Sequence, residues 1–504
     1  MSEEKAEKTE KTETKTTETT PPPPKDEIVE TKHTITINGQ EIAYTVTTGR
    51  IVLKEEAEKK GDEAGKSEGE KPKASIFFVA YTRDGVEDRT QRPLTFSFNG
   101  GPGSSSVWLH LGLLGPRRVE MGDVGKLLPP PYRLVDNEYS LLDATDLVFI
   151  DPVSTGFSRA VPGEMPKEFH GFKKDIESVG DFIRLYTTRY KRWLSPKFLI
   201  GESYGTTRAA GLSGYLQERH GFFLNGIMLV SAILNFQTAD FHPANDLPYI
   251  LFLPTYTATA WYHRQLNAEL QKDLRATLEK VEYFAINAYT HALMMGAALT
   301  EAERQRTIHQ LARFTGLSEE YIDRTDLRIN IFRFAKELLR KQRRTVGRID
   351  SRFTGIDRDS AGEFFEFDPS IAAITGPYTA ALNDYVRSEL NFESDLPYEI
   401  LSERVYPWSF AEFENAYVDV AKTLRMAMTT NPTLKVYVAN GYYDLATPYF
   451  ATQYTFNHLG LDASLQANIR MGYFEAGHMM YVHMPSLEKL KGELVDFLGW
   501  AGNR

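Results

Sequence analysis

The sequence predicts an α/β fold: a mostly parallel central sheet flanked by helices, with an N-terminal antiparallel hairpin and a helical cap insertion. Short apolar runs alternate with helical patterns between Leu94 and Leu234, as in a parallel sheet covered on both faces. An alternating pattern broken by Asn38-Gly39 stands ahead of them. The strand–helix alternation stops after Leu234 and strand signals return at Leu434.

Residues 1–28 read as a disordered tail of Lys, Glu and Thr ending near four prolines, with too little apolar surface to offset ordering entropy. Order is expected from Val29. Thr34–Ile37 and Ile42–Val46 alternate around Asn38-Gly39, which reads as a hairpin with a primed turn. A charged loop is expected from about Glu55 to Lys73, then a strand over Ser75–Thr82. The core strands are Leu94–Phe98, Asp146–Ile150, Lys197–Ile200 and Gly226–Leu234. Phe172, Ile176, Val179, Phe182, Ile183 and Tyr186 recur at helical spacing between the second and third. Beyond Leu234 the signals are mainly helical. Thr300 with Glu303 forms a capping box ahead of Ile308, Leu311 and Phe314. Ile331, Phe334, Ala335 and Leu338 mark another helix. Strands return at Leu434–Ala439 and Ala467–Tyr473, and Leu487–Trp500 closes the chain as a helix. The expected division is a core over 29–236, a helical cap over 237–405, and the rest of the core over 406–504.

At 504 residues the chain can bury a large core without cross-links. Hydrophobic residues make up 42%, with 30 Phe and 26 Tyr, which argues against global disorder. The 58 Lys+Arg are outweighed by 68 Asp+Glu, so a chain-wide nucleic-acid surface is not expected. The basic run Arg333–Arg344 reads as the solvated end of a cap helix. No apolar run approaches the roughly 20 residues a membrane-spanning helix needs. With no cysteine, disulfides, zinc–thiolate sites and cysteine nucleophiles are excluded, and no metal or cofactor is expected.

Gly201-Glu202-Ser203-Tyr204-Gly205 fits G-x-S-x-G, a sharp strand-to-helix turn that lifts a serine hydroxyl above the sheet. A buried strand precedes it, and Ala209, Ala210 and Gly211 let the following helix pack close. A second match, Gly65-Lys66-Ser67-Glu68-Gly69, has neither context and reads as chance. The nucleophile candidate is therefore Ser203.

A serine hydroxyl needs a base, and the base needs an orienting acid. In α/β-hydrolases the chain order is Ser, Asp or Glu, His. His478 follows a strand and is the candidate base; His483 is its rival, with a role in loop packing as the plainer reading, and His458 falls in a helix. Asp444 follows the Lys435–Ala439 strand and is the candidate acid, although an Asp in a turn is common. An oxyanion hole needs backbone N–H groups aimed at developing charge. One is that of Tyr204. The other is expected from Asn99-Gly100-Gly101-Pro102-Gly103, which follows the first core strand.

Together these segments, with Gly115-Pro116, Asp151–Ser158 and Ala476-Gly477-His478-Met479, resemble the serine carboxypeptidase family, peptidase family S10. The resemblance spans about 94 to 500. It implies an α/β-hydrolase fold with a helical cap and a triad of Ser203, Asp444 and His478. It implies an oxyanion hole from the N–H groups of Gly100 and Tyr204. Family members remove C-terminal residues from peptides, with Asn99 and Glu202 helping to hold the substrate carboxylate. It also implies a secreted or periplasmic protein, although Met1–Lys5 opens without an apolar signal core.

The chain departs from the family in two places. Ser104 stands where the family has cysteine. The family also pairs the Glu before its nucleophile with a second Glu, two residues before the Gly-Pro step; here that position is Leu113. Glu202 therefore needs another way to tolerate a substrate carboxylate. One is an arginine, with Arg208, Arg117 and Arg118 as candidates, giving weak pH dependence between about 5 and 8. The other is a carboxyl kept neutral by burial. An esterase, acyltransferase or aminopeptidase on the same triad is the alternative activity, and a catalytically dead binding protein ranks below it.

Overall fold

A computed structural model describes residues 24–59 and 64–502. The expected tail therefore lies almost wholly outside the described residues. The hairpin pairs β1 (Glu27–Ile37) with β2 (Gln40–Glu58), and β3 (Ser67–Arg83) extends it antiparallel. Asn38 and Gly39 have φ of 51° and 75°, the positive pair that a primed turn requires. β1 begins two residues ahead of the expected start.

The charged stretch after Glu55 is not a loop up to Lys73. β2 and β3 remain paired well beyond the core, with Glu55 opposite Lys71 and Glu56 opposite Glu70. Charge marks solvent exposure here rather than a break in the ladder. Lys174 reaches Glu55 at 2.7 Å and Lys71 pairs with Glu68. Ser67, the second motif serine, opens β3 on this exposed ribbon.

The remaining core strands are β4 (Leu94–Phe98), β5 (Asp146–Ile150), β6 (Lys197–Glu202), β7 (Gly226–Val230), β8 (Lys435–Gly441) and β9 (Ile469–Phe474). The sheet order is β1-β2-β3-β5-β4-β6-β7-β8-β9, with a short strand at Arg159–Ala160 beside β3. From β5 to β9 every neighbouring pair is parallel. Successive side chains of each strand face opposite layers. Phe198, Ile200, Met228 and Val230 pack with the closing helix, while Leu199, Ile227 and Leu229 pack with the helices on the other face. Those helices include α1 (Phe172–Arg189) and α2 (Tyr204–His220), which follows the nucleophile candidate.

Between β7 and β8 lie α3 (Leu247–Tyr262), α4 (Glu301–Thr315) and α5 (Pro369–Ser388), with shorter helices among them. The Thr300–Glu303 capping box opens α4, and Ile308, Leu311 and Phe314 are buried. α3 and α4 join a third apolar cluster that also takes in Tyr443, Leu445 and Tyr449. α5 packs into the core layer instead, through Ile374, Tyr378, Leu382 and Tyr385. α6 (Met484–Gly502) closes the chain. Half of the basic run is spent in ion pairs: Lys336 is buried against Asp357, Arg333 reaches Glu363 at 3.2 Å, and Arg340 pairs with Glu337. Among the described residues no helix is long and apolar enough to cross a membrane.

Candidate active site

Ser203 follows β6 directly, at φ 60° and ψ −130°. For a residue with a side chain this is a strained conformation. The surroundings enforce it. Ser203 N–H donates to Val230 O at 3.1 Å, and its carbonyl accepts from Thr206 N at 2.8 Å and Thr206 Oγ1 at 2.6 Å. A Cβ on Gly201 would stand 2.1 Å from Gly205 O, and one on Gly205 would stand 2.8 Å from Phe98 O. The two motif glycines are thus fixed by close backbone approach.

Gly100 lies over this turn. A Cβ there would be 2.4 Å from Tyr204 N. Tyr204 opens α2, where backbone N–H groups lack intrahelical partners. The N–H-bearing segments of Gly100 and Tyr204 are therefore adjacent. Asn99 is held at three points. Its Nδ2 donates to Glu202 Oε1 at 3.0 Å, its Oδ1 accepts from Leu109 N at 3.0 Å, and its carbonyl accepts from Arg208 Nη1 at 2.5 Å.

Asp444 and His478 come together from the loops after β8 and β9. His478 Nδ1 lies 2.8 Å from Asp444 Oδ2. The Asp444 carboxylate also accepts from Ala446 N at 2.8 Å, Thr447 N at 3.0 Å and Thr447 Oγ1 at 2.7 Å, so its position is fixed. Burial opposes charge on His478, but the neighbouring Asp444 outweighs it and holds the imidazole above its ordinary value. Ser203, His478, Asn99, Gly100, Glu202 and Tyr204 line one cavity of about 560 Å³. The rival histidines are elsewhere engaged. His483 Nδ1 bonds Ser486 Oγ at 2.8 Å, and His458 Nδ1 accompanies Tyr454 O at 2.7 Å in an exposed position.

None of the three candidate arginines reaches Glu202. Arg208 is fully buried and pairs with Asp175 at 2.8 Å. Arg117 pairs with Asp136 and Glu389, and Arg118 with Glu138. The arginine expectation is therefore corrected. Proximity in sequence was misleading, because each guanidinium is claimed by the carboxylates nearest it in the fold, Arg208 in the interior and Arg117 and Arg118 nearer the surface. Glu202 is instead surrounded by uncharged donors, Asn99 and the Tyr481 hydroxyl, which donates to Oε2 at 2.6 Å. Burial pushes its carboxyl up to about 7. Leu113 is buried in the apolar layer.

Sequence reasoning missed Tyr481, Thr447 and Arg348, which also lines the cavity. Tyr481 follows His478 by three residues, but nothing in the local sequence ties it to Glu202. Asp151 explains its own motif. Ser106 N donates to its Oδ1 at 2.8 Å, fixing the segment after the Gly100 loop, and a Cβ on Gly156 would stand 1.7 Å from Oδ2. Among the described residues, no group of three or more His, Cys, Asp or Glu could hold a metal ion.

The profile of the family described as serine carboxypeptidase matches residues 64–483. The pheromone-processing carboxypeptidase KEX1 of Saccharomyces cerevisiae is 36% identical over 137 residues, covering 25% of this chain and 17% of that protein. Serine carboxypeptidase-like 29 of Arabidopsis thaliana is 28% identical over 177 residues, covering 33% of this chain and 34% of that protein. The chain thus matches well under half the length of these relatives. The crystal structure of the Saccharomyces cerevisiae KEX1 carboxypeptidase superposes with a TM-score of 0.53 at 16% identity, covering 90% of this chain and 91% of that one, and so shares the α/β-hydrolase fold.

Proposed function

The chain belongs to the serine carboxypeptidase family, and from that membership we propose that it releases C-terminal residues from peptides through an acyl-enzyme. Ser203 Oγ attacks the scissile carbonyl while His478 takes its proton. Asp444 holds the imidazole through Nδ1, which leaves Nε2 as the nitrogen free to take the proton. The N–H groups of Gly100 and Tyr204 stabilise the developing oxyanion. His478 then passes its proton to the leaving amine, and water, deprotonated by the same imidazole, hydrolyses the ester on Ser203.

The observation that carries the exopeptidase reading is the buried Glu202 carboxyl, one residue before Ser203 and bonded to Asn99. With its titration raised to about 7, it is protonated in mildly acid solution and donates a hydrogen bond to the substrate's terminal carboxylate. Above that pH it ionises and repels the same group. Tyr481 takes the place of the family's second carboxyl as the partner of Glu202. Residues 237–405 act as a cap that admits chain ends and excludes folded proteins. This is supported by Arg348, Ile349, Ile371, Ile374 and Leu401, which line the cavity from that stretch.

Peptides identical except for a free or an amidated C-terminus test the proposal. The free acid is expected to be cleaved one residue at a time and the amide refused. Equal cleavage of both, or turnover of simple esters alone, would favour the esterase, acyltransferase or aminopeptidase alternative.

A further inference from the structure

Arg348 is placed with care and then left unused. Its N–H donates to Asp368 Oδ2 at 3.1 Å, and its carbonyl accepts from Leu445 N at 3.0 Å, in the loop that carries Asp444. The next residue, Ile349, accepts from His478 N at 2.7 Å and donates to the same Asp368 oxygen at 3.3 Å. The backbone is thus clamped between the two loops of the acid and the base. The side chain is half-buried and lines the cavity. Among the described residues its guanidinium has no hydrogen bond, ion pair or ring contact, and Asp368 is spent on backbone N–H groups and Ser370. Arg348 is also the one lysine or arginine among the residues lining this cavity, whose other walls are largely apolar, with Trp108, Ile371, Ile374 and Leu401.

An unpaired guanidinium at the edge of an apolar cavity is a receptor for a planar anion. The substrate's terminal carboxylate is already taken by Asn99 and Glu202 in the reading above, on which this inference rests. The leaving residue must lie where His478 can protonate its amine, and Arg348 lies close enough to His478 for its charge to oppose protonation of the imidazole. We infer that Arg348 binds the side-chain carboxylate of the substrate's C-terminal residue, making peptides that end in Glu or Asp the preferred substrates.

The test uses the full chain and N-blocked dipeptides ending in Phe-Glu, Phe-Gln or Phe-Lys, with a second set carrying the acid at the penultimate position, at pH 6. Glutamate and glutamine differ in charge but scarcely in shape. Wild-type kcat/KM is expected to favour terminal Glu over Gln by about tenfold or more, the scale of a charge-assisted bidentate contact. Arg348→Gln should bring that ratio to near one, and Arg348→Glu should turn the preference toward Lys. Labelling of each variant by a fluorophosphonate shows that the site remains assembled. A wild-type ratio of one or below overturns the inference. So does a ratio that both variants leave unchanged, or a preference confined to the penultimate residue. Cleavage of Gln ends without preference for Glu removes this assignment alone; failure to cleave any free-acid peptide removes the carboxypeptidase reading and this inference with it.

Discussion

Ser203, Gly100, Asp444 and His478 each sit just beyond a parallel strand of the central sheet, whereas Arg348, Ile371, Ile374 and Leu401 reach the same cavity from the long stretch between β7 and β8. The first group forms a floor whose geometry is dictated by backbone. Gly201 and Gly205 have no room for a side chain, and Asp444 is held by three donors besides His478. The second group forms a wall in which backbone is fixed but side chains are free to vary. Under the proposed function the contrast is a division of labour: the floor would set whether a bond is broken, the wall which peptide is presented.

The largest expected effect belongs to the floor. Ser203→Ala should lower kcat by about 10⁴-fold or more and abolish fluorophosphonate labelling. Labelling that survives would mean that the nucleophile lies elsewhere and the floor has been misidentified. His478→Ala should cost a loss of the same order, while His483→Ala, which loses only the Ser486 contact, should change kcat by less than about threefold. Steady-state kinetics on one peptide would check both, and the reverse ranking would move the base to His483.

Glu202 stands between floor and wall, and its effect is read in pH. Because burial raises its titration to about 7, KM for free-acid peptides should climb as pH passes upward through that value. Glu202→Gln should flatten the climb. The same shift has a stability counterpart. A carboxyl raised from 4.5 to about 7 by folding leaves stability untouched below the lower value and costs progressively more above it. Unfolding in urea should therefore find Glu202→Gln more stable than wild type by up to about 3 kcal/mol at pH 8, with the gap closing by pH 4.5. Tyr481→Phe removes a donor that favours the ionised form, so the rise in KM should move to higher pH by less than about one unit.

The smallest effect belongs to the wall. Leu401 is half-exposed and lines the cavity. Leu401→Ser should raise KM for peptides with apolar ends by less than about tenfold, with little change in kcat, since only a few apolar contacts are lost. A fall in kcat as large as that of a floor substitution would erase the distinction.

The same division governs what could be read from the sequence. The positions of the core strands along the chain, the turn at Ser203 and the placement of Asp444 and His478 in loops after strands were legible, because glycine spacing and apolar runs report local backbone constraints; the order of the strands in the sheet was not read from the sequence. The β2–β3 ribbon was misread because Glu55 and Lys71 face solvent across a ladder that their polarity conceals. The partner of Glu202 was illegible for a different reason. Tyr481 lies 279 residues away along the chain, and Arg208, four residues from Tyr204, is claimed by Asp175. Arg348 lies in the same category: its position depends on packing between loops far apart in sequence.

The chain between 348 and 352 threads through the floor rather than resting on it. Ser351 N bonds Tyr443 O at 3.0 Å, Arg352 Nη1 bonds Glu475 O at 2.8 Å, and a Cβ on Gly477 would lie 2.4 Å from Asp350 Cβ. This part of the stretch between β7 and β8 is therefore bonded directly into the loops that carry Asp444 and His478. Exchange of residues 348–352 for a sequence that cannot make these bonds is expected to disturb the loops of acid and base together. Substitution in place is a different matter: the side chain of Arg348 makes none of these bonds, so it can be changed while the thread that bears it is left uncut.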